Sequence, residues 1–76
     1  MISINEFIEK VKETLEVNNF NITPETGIRD FPKWSSMNAL ILIAMFETEF
    51  DATLTGDDLR NCNTVSDLYN LLSKNS

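Results

Sequence analysis

Two adjacent serines, Ser35 and Ser36, open the stretch that holds the longest apolar run of the chain, Ala39 to Phe46. A serine at a helix start most often acts only as an N-cap, its oxygen accepting a backbone N–H of the first turn. Ser35 alone could fill that role, which leaves Ser36 spare. A hydroxyl in the first turn sits where unpaired N–H groups and the helix macrodipole favour a phosphate. Ser36 is therefore a sensible anchor for a covalently attached phosphodiester, although on spacing alone the simple cap ranks ahead of it.

Other chemistry finds little support. The 76 residues include no His, which removes the usual neutral-pH base and the commonest metal ligand. A calcium loop begun at Asp51 would place Thr53 and Thr55 at ligand positions and Gly56 at the turn. Its twelfth position, which needs a bidentate Glu, is Cys62. Glu47, Glu49, Asp57 and Asp58 could be drawn as acid–base pairs, but nothing in their surroundings would desolvate one of them and raise its pKa. Cys62 is the only cysteine, so it has neither an internal disulfide partner nor zinc co-ligands. That usage suits a reduced, cytoplasmic compartment. An enzyme is not expected, and neither is a metal site.

Twelve Asp and Glu against six Lys and Arg give a net charge of −6 and a pI near 4.3. Nucleic-acid binding needs clustered cations, which are absent, and an anionic membrane would repel the chain. A basic protein surface is the expected partner. Glu6 and Glu9 interrupt Met1 to Lys12 where a signal peptide needs an apolar run, and Ala39 to Phe46 is too short to span a bilayer. The length fits one domain, residues 1–76, with a radius of gyration of about 11 Å and no room for a deep enclosed pocket.

Apolar residues at Ile4, Phe7, Ile8, Val11 and Leu15 predict an amphipathic helix over Ser3 to Val17, opened by a Ser3–Glu6 capping box and ended by Asn18 and Asn19. Asn18 to Ser35 shows no period, but Phe20, Ile22, Ile28, Phe31 and Trp34 should strap this long loop over the core. Ser36 to Phe50 predicts a second helix with Ala39, Leu42, Ile43, Phe46 and Phe50 facing inward. Met37, Ile41, Ala44 and Thr48 lie opposite, flanked by Leu40, Met45 and Glu47. A helix apolar nearly all round cannot be enclosed by so few neighbours, so part of its second face should be exposed as a partner site. Thr55 caps a short helix at Asp57 to Asn61, and Thr64 caps a last one to about Ser73. The reading is an all-α bundle of three main helices and one short one.

The segment Trp34-Ser35-Ser36-Met37-Asn38-Ala39-Leu40, running into Glu47-Thr48-Glu49-Phe50-Asp51, resembles the acyl carrier protein family, which has Asp-Ser-Leu at the start of its second helix. Ser36 precedes Phe50 by fourteen residues, the interval that separates the modified serine from that Phe in the family. The resemblance extends over nearly the whole chain, including Leu54-Thr55-Gly56-Asp57-Asp58-Leu59 and Thr64-Val65-Ser66-Asp67-Leu68. It implies a four-helix bundle with one short helix and a long loop between the first two. It also implies a 4′-phosphopantetheine arm, moved from coenzyme A onto Ser36 by a phosphopantetheinyl transferase. Acyl groups would ride on that arm as thioesters between loading and processing enzymes with basic docking surfaces. The carrier itself would be a monomer and do no catalysis.

By the same resemblance, partners would meet Ser35, Met37, Leu40, Ile41 and Ala44, steered by Glu47, Glu49, Asp57 and Asp58. Three positions depart from the pattern. Ser35 replaces the Asp before the modified serine, which bears on the choice of transferase. Asn38 and Ile41 stand where fatty acid carriers usually have acids, and an outward Ile41 would exchange charge steering for apolar contact. Together they suggest a specialised pathway in fatty acid, polyketide or related biosynthesis. The competing reading is a carrier-like domain that binds proteins without an arm.

Overall fold

The computed structural model describes residues 2–17 and 19–75, with the backbone alone for residues 73–75. Four helices follow in order: α1 (Ile4–Leu15), α2 (Ser36–Phe50), α3 (Gly56–Asn61) and α4 (Val65–Asn75). Among the described residues the only β feature is an isolated bridge between Gly27 and Thr64. The all-α expectation holds, and the Cα radius of gyration is 11.0 Å.

α1 opens where its stripe begins. Ser3 Oγ accepts the Glu6 N–H at 3.2 Å, while the Glu6 carboxylate takes the Ser3 hydroxyl rather than the backbone N–H that a full capping box requires. The helix closes earlier than expected. Glu16 turns left-handed with φ 57°, and the Val17 N–H reaches back to the Lys12 carbonyl at 2.9 Å. This is the usual way a helix satisfies its last carbonyls, although Gly more often fills the left-handed place. Asn18, read from sequence as part of the stop, lies outside the described residues. α2 ends by the same device at Asp51, φ 51°, with the Ala52 N–H on the Phe46 carbonyl.

The centre is wholly apolar, with Phe7, Val11, Ile28, Leu42, Phe46, Val65 and Leu68 essentially sealed from solvent. Phe7 packs edge-on against Phe46 and Tyr69 and tilted against Phe50, so α1, α2 and α4 meet at one ring. Such contacts add to area burial because the electropositive edge of one ring faces the π-cloud of the next.

The long loop is strapped down as its apolar residues require. Ile22, Ile28 and Phe31 are buried, and Phe20, Phe31 and Trp34 form an edge-to-face chain at 6.1 Å spacings. Its middle is also stitched to the α3–α4 junction. The N–H groups of Ile28, Val65 and Ser66 bond across this seam. The Arg29 guanidinium, projecting from a 3-10 turn at Ile28–Asp30, donates to the carbonyls of Leu59, Arg60 and Cys62. Those carbonyls end α3, where a cation also complements the negative end of the dipole.

Candidate functional site

The loop delivers its last residues to α2 through a turn at Phe31–Trp34. Pro32 presets the bend, Lys33 adopts φ 58°, and the Trp34 N–H returns to the Phe31 carbonyl at 3.2 Å. Ser35 then stands extended as the N-cap, with φ −157° and ψ 178°. Its carbonyl accepts the N–H groups of Asn38 and Ala39 and starts the helix.

Ser35 and Ser36 are both exposed, but they are used differently. The Asn38 carboxamide oxygen accepts the Ser35 N–H at 3.1 Å and the Ser35 hydroxyl at 3.0 Å. Ser36, at the first helical position, makes none of the side-chain hydrogen bonds found among the described residues. α1, α3 and α4 each carry an acid in the first turn, whereas α2 has none. The positive end of its dipole is therefore left without a counter-charge. An unspent alcohol beside unneutralised N–H groups fits a phosphodiester attachment.

The outer face of α2 is narrower than its sequence suggests. Met37 and Leu40 are 65% and 62% exposed, and Ala44 and Glu47 continue the same stripe toward the C-terminal end. Ile41 is not outward: it is half-buried against the core beside Leu15, Val17 and Phe20. Met45, expected beside the outer face, is 3% exposed, because α1 covers that flank. Ala39, Ile43 and Phe50, expected inside, are only half-buried.

The expected steering acids are mostly engaged. Glu49 pairs with Lys10 at 2.9 Å, and Asp57 pairs with Arg60. The Asp58 carboxylate accepts the Thr55 N–H while Thr55 Oγ1 accepts the Asp58 N–H, a complete capping box for α3. Glu47 alone of the four has no partner among the described residues. Asn38 and Arg29 had been given no structural role from the sequence. Asn38 was legible in principle, since Ser-x-x-Asn has the spacing of a capping box.

Open grooves flank the serines. One of about 400 Å³ lies between α2 and α3, lined by Trp34, Ser36, Leu40, Ile43, Leu59 and Arg60 among others. Another of about 590 Å³ lies between the end of α1, the loop and α2, touching Ser35, Met37, Asn38 and Ile41. Burial pushes the Cys62 thiol above its ordinary pKa, helped by the Asp67 and Asp58 carboxylates. It is thus the reverse of an activated thiolate. Among the described residues no cluster of metal-ligating side chains forms and no helix is long and apolar enough to cross a membrane.

The sequence model described as "Phosphopantetheine attachment site" matches residues 5–72. The acyl carrier protein of Petrotoga mobilis is 34% identical over 74 residues, covering 92% of this chain and 87% of that protein. The acyl carrier protein of Syntrophobacter fumaroxidans is 27% identical over 70 residues, covering 92% of this chain and 86% of that protein.

Proposed function

The chain belongs to the phosphopantetheine attachment site family, the acyl carrier proteins, and from that premise we propose that its arm is attached at Ser36. Members of this family are carriers rather than enzymes, and 4′-phosphopantetheine is their prosthetic group. When bound, the arm supplies a terminal thiol that holds an acyl group as a thioester. This chain's own residues present the attachment oxygen and dock the enzymes that use it.

One observation carries the choice of Ser36: the neighbouring hydroxyl of Ser35 is spent on Asn38, and that of Ser36 is exposed and unspent. The acid-free first turn of α2 favours the phosphate charge at the same place. Partners are read as meeting the stripe of Met37, Leu40 and Ala44, with Glu47 as the free charge at its end. Ser35 and Ile41 border that stripe; Glu49 and Asp57 add a weaker field, since each is already paired with a cation, while Asp58 keeps its charge as its carboxylate caps α3. The partners are a phosphopantetheinyl transferase and enzymes that load and process acyl groups. We read residues 1–76 as a single, monomeric carrier domain acting in the cytoplasm. Ser35 and Asn38 support service in a dedicated fatty acid, polyketide or related pathway.

Co-expression with a broad-range phosphopantetheinyl transferase, followed by intact mass measurement, tests the assignment. Wild type should gain one phosphopantetheinyl group, and Ser36→Ala should gain none. An unmodified wild type, or equal addition to Ser36→Ala, would overturn it. A carrier-like domain that only binds proteins would instead keep its cellular function in Ser36→Ala.

A further inference from the structure

Ser35 and Ser36 are both exposed primary alcohols, one residue apart. A transferase gripping α2 by its apolar stripe brings coenzyme A close to both. The transfer forms a bond from a serine Oγ to the phosphorus that bears the pantetheine. It breaks the bond from that phosphorus to the bridging pyrophosphate oxygen. Adenosine 3′,5′-bisphosphate leaves with the electron pair, and the hydroxyl proton passes through the transferase to water. Either serine could enter such a step.

The geometry around Asn38 separates them. A backbone N–H can only donate, so the atom 3.1 Å from the Ser35 nitrogen must be the carboxamide oxygen, not the nitrogen. The same oxygen lies 3.0 Å from Ser35 Oγ, which therefore donates its proton there. Ser35 Oγ is thus turned toward the first turn of α2. To attack phosphorus it must abandon that bond, whereas Ser36 Oγ has none among the described residues to give up. We propose that Asn38 is a positioning residue that commits Ser35 to capping and so leaves Ser36 as the sole acceptor for the arm. The inference rests on the reading of Ser36 as the attachment point. It gives Ser35 a physical consequence: the chain carries a competing hydroxyl and the side chain that restrains it.

The test treats purified wild type, Ser36→Ala, Ser36→Ala/Asn38→Ala and Ser36→Ala/Asn38→Asp with a broad-range transferase and coenzyme A. Intact mass gives the extent of modification, and peptide fragmentation gives its position. Wild type should carry the arm on Ser36 alone, and Ser36→Ala should stay essentially unmodified. Ser36→Ala/Asn38→Ala should gain the arm on Ser35 about two- to tenfold faster than Ser36→Ala, the factor expected for releasing the one neutral hydrogen bond of Ser35 Oγ. Asn38→Asp should restore the Ser36→Ala rate, because a carboxylate accepts the same two bonds. Ser36→Ala/Asn38→Gln, whose longer side chain displaces the oxygen, is a second releasing variant should Asn38→Ala disturb the helix. If neither releasing variant gains the arm, or if Asn38→Asp gains it equally, the proposal is overturned while the Ser36 reading stands. An unmodified wild type would overturn both.

Discussion

Asp67 shows how one side chain joins the long loop, α3 and α4 at a single place. Its Oδ2 accepts the N–H groups of Asn63 at 3.0 Å and Thr64 at 3.2 Å, and its own N–H is taken by Thr64 Oγ1. The Asn63 carbonyl in turn accepts the Ile28 N–H from the loop. The two backbone donors hold the Asp67 carboxyl below its ordinary pKa, the Asn63 N–H contributing most. A carboxyl depressed in the folded state stabilises the fold above its unfolded value, and that stability is lost as pH falls through the folded value. Urea unfolding of wild type and Asp67→Asn should therefore differ by a constant amount near neutrality. The gap should narrow once pH drops below about 4, the unfolded carboxylate value. A gap that stays unchanged in strong acid would show that the charge contributes nothing.

At the scale of the helix, the exposed stripe of α2 makes a statement about partner chemistry. Met37 and Leu40 are its largest exposed side chains, and two of the nearby acids, Glu49 and Asp57, are already paired. Recognition by a transferase should then depend more on apolar contact than on charge. We expect Leu40→Ala to raise the KM of the transferase more than does salt concentrated enough to shrink the Debye length to about 3 Å. A KM that climbs steeply with salt while Leu40→Ala is silent would show that charge dominates. The bounds of this helix were legible because Pro32 keeps a helix from starting earlier and Ser35 offers a cap just before Ser36. Its faces were less legible. With apolar side chains on every side, a 3.6-residue period has no contrast, so which flank lies under α1 is settled by packing alone. Met45 and Ile41 were misplaced for that reason. The structural roles of Asn38 and Arg29 were missed for a different one: each acts through hydrogen bonds that leave no trace in hydrophobic spacing, Asn38 on the N–H and hydroxyl of Ser35 and Arg29 on carbonyls about thirty residues away in sequence.

For the whole molecule the governing quantity is a net charge of −6 on a body with principal extents of 29 × 24 × 21 Å. No charged side chain is buried among the described residues, and only two ion pairs form there. The excess negative charge is spread over the surface, where it repels itself and favours expansion. Salt should relieve this repulsion, because neighbouring acids across so small a body lie within or near one Debye length at low ionic strength. Adding NaCl should raise Tm by several degrees, since about 1 kcal/mol moves the Tm of a domain this size by roughly 4–8 °C. Magnesium should act through the same screening of the surface charge. MgCl2 and NaCl compared at equal ionic strength should then give similar curves. A flat response would mean that repulsion is not limiting stability, whereas a steep, saturating rise at low magnesium would mean that acids converge on a cation in solution.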